Sequence, residues 1–267
     1  MHASLKLLAA ALAVGQVSAQ TYTNCNPLDK TCPADPGSTE STLDFDFTQS
    51  IDPSQWETTA GTVTTGSNGA VFTIAKRGDA PTIQSKFNIF YGDIEIVMKS
   101  APGTGRYLYY DRATYPAVTT PQEVFHTYKV SWQKDATTWS IDGNVVRTLN
   151  YADAQGGSRY PQTPMTIRIG IWAGGDPSNG QGTIEWAGGE TDYSQAPFSM
   201  YVKSVKINNA NPAESYTYTD NSGSSDSIKL NGAAPAPSGT FNAATSNVVG
   251  YFTPLSVLAL VGAFIQL

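Results

Sequence analysis

Alternating apolar and polar residues are clearest between Met165 and Trp172. Every second side chain of an extended strand faces the same way, so this stretch predicts a strand with two unlike faces. One face carries three isoleucines: Ile167, Ile169 and Ile171. The other carries Arg168, Gly170 and Trp172. The isoleucine face predicts a buried core, whereas a guanidinium, a gap and an indole are an unusual set for a face that only meets water.

A loop rich in Gly, Pro and Asn follows, and Thr183 to Trp186 then predicts a second short strand. In such a strand Thr183 and Glu185 would share a face. Indole planes beside charged and hydroxyl groups suit a sugar ring, whose C–H face stacks on the indole and whose hydroxyls need donors and acceptors. The alternative is that both tryptophans are core positions of a β-sandwich, because aromatic residues are common in strands.

The rest of the chain predicts many short strands with turn signals between them and no long helix. Residues Phe87 to Lys99 predict one long strand, with Gly92 as a bulge or close approach. Asp142-Gly143 predicts a tight hairpin turn. Pro197 to Ile207 predicts the last long strand, with order fading from Asn208. The fold class is therefore all-β, an antiparallel β-sandwich.

Composition narrows the possible partners. The chain has 267 residues, a formal net charge of −6 and only 14% charged residues. This balance gives no sign of binding to nucleic acid or to an anionic membrane surface. The length suits one domain of sandwich size between two terminal segments.

The N-terminus predicts export. Residues 1–19 combine a basic start, an apolar run and a Val-Ser-Ala ending, as in a secretory signal peptide. Cys25 and Cys32 follow closely, and in an exported chain they predict a small disulfide loop. A metal site is not expected, because His126 is the one histidine left after cleavage. No cofactor is expected either.

The C-terminus predicts a glycolipid anchor. Residues 245–267 form a spacer and an apolar tail, after the small triplet Asn242-Ala243-Ala244. Asn242 is the predicted attachment residue, with Ser238-Gly239 as a second candidate. The alternative is a transmembrane helix, for which the apolar tail is short. Residues 216–244 predict a flexible stalk rich in Ser, Gly, Ala and Pro.

Candidate catalytic groups are few. There is no G-x-S-x-G motif, and His126, in an alternating strand, is predicted to be structural. Retaining sugar hydrolysis needs two carboxyl groups about 5–5.5 Å apart. Asp93 and Glu95 share a strand face, but that face is interpreted as solvated. Glu185 and Glu190 flank Trp186 and offer acceptors for sugar hydroxyls, without an evident partner.

Several stretches together resemble one known family. They are RIGIWAGGDPSNGQGTIEWAGGETDY, PFSMYVKSVKI, SKFNIFYGDIEIVMKSAPGTG and VFHTYKVSWQKDATTWSIDGNVVRTLNYADAQGG, with Cys25 and Cys32 before them. The chain is similar over most of residues 20–230 to the Crh-type fungal cell-wall transglycosylases of glycoside hydrolase family 16.

The resemblance implies a concanavalin-like β-jelly-roll with a carbohydrate cleft on its concave sheet. It implies that chitin chains are cut and rejoined to β-glucan through a covalent glycosyl-enzyme. Matching positions imply a set of substrate-binding residues: Arg168, Trp172 and Thr183, with Glu185 and Trp186 as neighbours. The implied location is the cell wall or outer face of the plasma membrane, as an anchored monomer.

The family's catalytic signature, D-E-I-D-x-E, is missing. It should follow the APGTG turn, yet Gly105 is followed directly by Arg106 and a segment that resembles the family beyond the motif. No catalytic residue is therefore assigned, and a deletion is predicted within the domain at 20–215, near 105–106. Either the gene model omits an exon of an ordinary enzyme, or the shortened chain is real.

These predictions leave three functions open. The first is a wall transglycosylase acting on chitin and β-glucan, inactive as written. The second is a carbohydrate-binding wall protein without catalysis. The third, a purely structural wall mannoprotein, does not account for the retained Arg168 and Trp172 face.

Overall fold

The computed structural model describes residues 25–102, 114–233 and 263–266. Regular structure in these ranges is mostly β, as the sequence predicts, with one short α-helix, α1, at Gln181–Trp186. Three 3-10 helices of three residues each also lie in these ranges, at Tyr151–Asp153, Tyr193–Gln195 and Ser225–Ser227. No helix within these ranges is long and apolar enough to cross a membrane. The strands are β1 Asp35–Pro36, β2 Thr42–Asp46, β3 Trp56–Ala60, β4 Val63–Gly66, β5 Gly69–Ile74, β6 Thr82–Ile89, β7 Gly92–Lys99, β8 His126–Trp132, β9 Ala136–Ile141, β10 Asn144–Asn150, β11 Met165–Ile171, β12 Phe198–Asn209, β13 Ser215–Tyr218, β14 Ile228–Asn231 and β15 Ala263–Gln266.

Two antiparallel sheets make the sandwich. The larger sheet has the order β10-β9-β8-β7-β12-β5-β4, with β2 also paired to β12. The smaller sheet has the order β15-β11-β6-β3. A third, small sheet joins β1, β13 and β14. The two main sheets therefore differ greatly in size, with eight described strands in one and four in the other.

The core lies between the two main sheets. Alternate residues of β11 and β12 are fully buried, among them Ile167, Ile169 and Val205. Trp56 of β3 is 1% exposed and meets the ring of Phe45 edge to face, with centroids 5.3 Å apart. Such burial removes apolar surface from water, the main force that holds the two sheets together.

The long strand predicted for Phe87–Lys99 is wrong, because the chain changes sheets in its middle. β6 belongs to the smaller sheet and β7 to the larger. Tyr91 between them has a φ of 62°, and Gly92 has a φ of 137°. A Cβ on Gly92 would lie 2.1 Å from the carbonyl oxygen of Asn208, so the predicted close approach is correct. The apolar alternation of the sequence continues through Tyr91 and Gly92, so it does not indicate that the chain changes sheets there.

The prediction that order fades from Asn208 is also wrong. β13 and β14 lie beyond this residue, and Tyr216 is 0% exposed. The Tyr216 hydroxyl donates to the carbonyl of Asn211 at 2.8 Å. The folded domain therefore extends through Asn231, and a stalk starting at 216 does not fit the structure. These strands were not predicted because their composition is polar and only alternate residues are covered by the rest of the fold.

The predicted hairpin is present, with Asp142 and Gly143 both at positive φ between β9 and β10. Cys25 and Cys32 are joined by a disulfide. The predicted signal peptide at 1–19, the Gly105–Arg106 junction and the anchor residue Asn242 lie outside the described residues. Part of the predicted tail is described, since β15 pairs with the outer edge of β11.

Candidate functional site

The outer face of the smaller sheet carries a row of polar side chains, one from each of three neighbouring strands. Gln84 of β6 lies opposite Arg168 of β11 on one side and Glu57 of β3 on the other. Directly opposed residues on a sheet share a face, with Cβ atoms about 5 Å apart. None of these three side chains hydrogen-bonds to another described residue, so their donors and acceptors can serve a ligand.

Arg168 was predicted from the sequence, whereas Glu57 and Gln84 were missed. Gln84 alternates with the buried Ile83 and Ser85, which is a period-2 signal. That signal predicts a polar face but not its neighbours, because strand register is set by tertiary pairing.

Trp172 lies about 13 Å from Arg168 along the direction of β11, and Trp186 lies near it. Trp172 follows β11, and its alternation places it on the Arg168 side. Gly174 lies between the two indoles, since a Cβ added there would be 3.6 Å from Cη2 of Trp172 and 3.7 Å from Cζ3 of Trp186. Both indoles are partly exposed. The structure therefore brings together three of the predicted binding residues: Arg168, Trp172 and Trp186.

The strand predicted for Thr183–Trp186 is wrong, because these residues form α1. The backbone N–H of Ala187 donates to the carbonyl of Thr183 at 2.9 Å, as in a helix. Residues two apart on a helix lie about 200° around its axis, so Thr183 and Glu185 do not share a face. Glu185 is exposed and accepts a hydrogen bond from Gln181 at 2.9 Å. β-branched and aromatic residues favoured a strand locally, but packing of the loop overrides that preference.

A buried carboxylate holds the loop after Trp172. Asp176, 7% exposed, accepts hydrogen bonds from the Tyr193 hydroxyl at 2.6 Å and the Ser178 hydroxyl at 2.6 Å. The Arg77 guanidinium, from the loop between β5 and β6, donates to it at 3.1 Å. Asp176 was not predicted from the sequence, because Asp-Pro-Ser resembles an ordinary turn and Arg77 is remote in sequence.

Burial of Asp176 would raise the pKa of its carboxyl group, but the hydrogen bonds outweigh that effect. Donors from Arg77, Ser178 and Tyr193 hold the pKa well below its ordinary value of 3.8. The pKa of Tyr193 is raised, first by burial and then by its bond to this carboxylate. Asp176 is therefore ionised at neutral pH and acts as a fixed acceptor for the loop.

The other acidic candidates lie away from the row. Asp93 and Glu95 are on the outer face of the larger sheet, where Asp93 pairs with Lys129 at 3.0 Å. His126 bonds Asp142 through Nδ1 at 2.7 Å and the carbonyl of Thr119 through Nε2 at 2.9 Å. Both ring nitrogens are thus engaged in holding the β9–β10 turn, which agrees with a structural histidine.

The arrangement suits a neutral polyol. It offers a carboxylate, an amide and a guanidinium along one sheet face, then an aromatic platform. The row supplies one carboxylate, Glu57, whereas retaining cleavage of a glycoside needs two about 5–5.5 Å apart. The described part of this face is therefore equipped to bind a sugar chain.

Comparison with known proteins shows the family to which the chain belongs. The sequence model of the family described as "Glycosyl hydrolases family 16" matches residues 106–188. Crh-like protein 5 of Aspergillus fumigatus is 56% identical, in an alignment covering 82% of this chain and 65% of that protein. Crh-like protein 1 of the same fungus is 49% identical, covering 82% and 69%.

A solved structure, "Apo Crh5 transglycosylase", superimposes with a TM-score of 0.74 at 56% identity, covering 78% of this chain and all of that chain. The same enzyme has been solved "in complex with NAG" with the same agreement. The two-sheet fold and these identities define a jelly-roll protein of the family 16 class. The chain belongs to the Crh-type cell-wall transglycosylases of that class.

The chain is shorter than these relatives. It spans about two thirds of the length of Crh-like protein 5, at 65%. The alignment with that protein runs over 256 residues, whereas 82% of this 267-residue chain is about 219 residues. About 37 aligned positions of the relative therefore have no counterpart here.

Proposed function

We propose that the outer face of the smaller sheet binds chitin and β-glucan chains, as part of a wall protein that cross-links these polysaccharides. The observation that carries the proposal is the row Glu57, Gln84 and Arg168, with the Trp172 indole on the same side of β11 as Arg168. Each of the three side chains has unused hydrogen-bonding capacity within the described structure. The Crh5 transglycosylase solved in complex with NAG supports a sugar in this class of cleft.

We propose further that the catalytic segment is missing from this sequence. The sequence contains no D-E-I-D-x-E motif. The roughly 37 relative positions without a counterpart allow room for several strands, since a strand averages about 5–6 residues. As written, the chain binds without cleaving, and an active form carries an extra acidic strand.

The edge of β11 supports this proposal. Its partner on the far side from β6 is β15, which comes from the tail that the sequence predicts to be removed on anchoring. A sheet edge without a partner presents unpaired N–H and C=O groups and favours the addition of a strand. An inserted strand beside β11 would lie next to Arg168, and a D-E-I-D-x-E motif on it would supply both carboxylates of a retaining pair.

The larger sheet supports it too. Val130 and Trp132 of β8 face the core and are buried. Trp139 of β9 and Leu149 of β10 lie on the same face, further along the sheet, and are only partly buried. The layer that covers the core-facing side of the larger sheet is therefore thinner near β10, where few strands of the smaller sheet lie against it. Additional strands beyond β11 would cover this surface.

Sequencing the transcript across the Gly105–Arg106 junction tests the missing segment. An in-frame insert that encodes an acidic strand motif supports an active transglycosylase. A direct junction instead supports the alternative function, a carbohydrate-binding wall protein. Transfer of labelled chitin oligomers to β-glucan by both forms then measures the activity itself. Failure of transfer by the longer form, together with failure of binding by the shorter form, would contradict the whole proposal.

Attachment through a glycolipid at Asn242, secretion through residues 1–19 and a monomeric state belong to the same proposal. Release of the cell-surface protein by a phospholipase that cleaves such anchors tests the attachment. Retention of the protein in the membrane after that treatment would favour the transmembrane alternative for the tail.

A further inference from the structure

The edge of β11 that faces away from β6 pairs with the tail of the same chain. β15 lies antiparallel to β11, with Arg168 opposite Gln266 and Ile171 opposite Ala263. The register continues without a shift along the whole of β15. β15 belongs to residues 245–267, the segment proposed above to be removed when a glycolipid is attached. The tail therefore has two roles that exclude each other, as an edge strand and as an anchoring signal.

Hydrogen bonds on the other side of β11 show which backbone groups face the tail. The N–H of Ile167 donates to Oγ of Ser85 at 2.9 Å, and the N–H of Ile171 donates to the carbonyl of Pro81 at 3.2 Å. Both bonds reach toward β6. Because successive N–H groups of a strand point to opposite sides, the odd-numbered residues of β11 all direct theirs toward β6.

Arg168 and Gly170 direct their backbone groups the other way, toward β15. Opposite residues of an antiparallel ladder whose groups point at each other exchange both hydrogen bonds. The two bonded pairs are therefore Arg168 with Gln266 and Gly170 with Phe264. Without β15, the N–H and C=O groups of Arg168 and Gly170 would lie at an open sheet edge.

The sequence of β11 gives this edge little protection of its own. Open edge strands are commonly blunted by lysine or proline, which hinder the addition of another strand. β11, MTIRIGI, contains neither residue. Pairing with the tail is therefore favoured for as long as no other strand occupies the edge.

We propose that β15 serves as a substitute edge strand and thereby withholds the tail from glycolipid attachment. In the chain as written, the β11 edge is open to the tail, and residues held in the sheet cannot also enter the membrane as an anchoring signal. In the longer form, an inserted strand beside β11 takes the edge and leaves the tail free. Completion of the smaller sheet thus controls anchoring. This inference rests on the proposed attachment at Asn242 and adds its regulation.

Two proline substitutions at neighbouring positions of β15 test this inference. Phe264→Pro removes an N–H that points at Gly170, so it breaks the ladder. Ile265→Pro removes an N–H that points away from β11, so it leaves the ladder intact and is the matched control. We expect the ratio of anchored to unanchored protein to rise about tenfold in Phe264→Pro, from the loss of one bonded pair, and to stay unchanged in Ile265→Pro. Release of cell-surface protein by an anchor-cleaving phospholipase measures this ratio.

Hydrogen exchange of the purified full chain measures the pairing independently of anchoring. The amides of Arg168 and Gly170 should exchange slowly in the native chain and in Ile265→Pro, and about tenfold faster in Phe264→Pro. The amide of Ile169, which faces β6, should remain protected in all three forms and reports that each variant is folded.

The two measurements separate this inference from the proposed anchoring. Equal anchoring ratios in the two variants, with exchange changed as expected, would overturn the inference and leave the anchor in place. Fast exchange of the Arg168 and Gly170 amides in the native chain would also overturn it. Absence of phospholipase-released protein from all three forms would overturn the proposed anchoring and this inference together.

Discussion

Removal of the Asp176 carboxylate should destabilise the domain more than any other single acidic substitution near the candidate cleft. Its bonds from the Tyr193 and Ser178 hydroxyls are both 2.6 Å long and partly buried. Hydrogen bonds to a charged group contribute about 1.5–3 kcal/mol each. The Arg77 guanidinium is 59% exposed, so its ion pair adds less than about 1 kcal/mol. Asp176→Ala should therefore cost about 4 kcal/mol.

The assay is thermal unfolding followed by circular dichroism at pH 7. About 4 kcal/mol corresponds to a fall in Tm of roughly 8–16 °C for a domain of this size. Asp176→Asn keeps an acceptor for Tyr193 and should lose about half as much. Asp192→Asn, in the same loop but exposed, is the control and should change Tm little. A fall of less than about 3 °C for Asp176→Ala would refute this account of the loop.

The pH dependence of the same variants gives an independent check. The folded-state pKa of Asp176 lies below its ordinary value of 3.8, so its contribution to stability is present above pH 3.8 and is lost as pH falls through the folded pKa. The difference in Tm between the native protein and Asp176→Asn should therefore be constant from pH 5 to pH 7 and shrink below pH 3.8. A difference that grows in acid would contradict the assignment of a depressed pKa.

Three further predictions follow from single contacts. Gly92→Ala should lower the free energy of unfolding by about 2 kcal/mol or more in chemical denaturation. Gly66→Ala is the control and should not lower it, because a Cβ added at Gly66 has no atom within 4 Å. Equal effects of the two substitutions would contradict the close approach at Gly92. Trp172→Ala should reduce retention on chitin roughly tenfold, and unchanged retention would exclude this platform. The pKa of Asp142 is lowered by its bond to His126, so Asp142→Asn should destabilise the protein at pH 7 and progressively less as the pH falls below 3.8. Tm measured against pH tests this, and a destabilisation that does not shrink in acid would contradict it.

The β class and the two faces of β11 could be predicted from sequence because alternation depends only on neighbouring residues. Ile169 and Arg168 face opposite ways whatever they pack against. The hairpin at Asp142 was predictable for the same reason, since its tight turn requires a positive φ only at Asp142 and Gly143. These features need no knowledge of distant parts of the chain.

Features that depend on distant partners could not be predicted. Asp176 becomes a buried acceptor only because Arg77 and Tyr193 reach it, and nothing in the Asp-Pro-Ser turn indicates this. The corner at Tyr91 lies within an unbroken apolar alternation, because both strands bury the same kind of side chain in one core. Helix α1 replaces a predicted strand because its conformation is set by the enclosing loop rather than by local propensity.

In the proposed function, binding and catalysis are separable for a structural reason. The polar row comes from β3, β6 and β11, and Trp172 comes from the loop that follows β11. None of these elements contains the Gly105–Arg106 junction. Their packing is fixed by Trp56, Ile83 and Ile169 within the core. A missing acidic strand would therefore remove the nucleophile and the acid/base group while leaving the sugar-binding face in place. For this reason binding to chitin and β-glucan, rather than turnover, is the property that tests the proposed function in the chain as written.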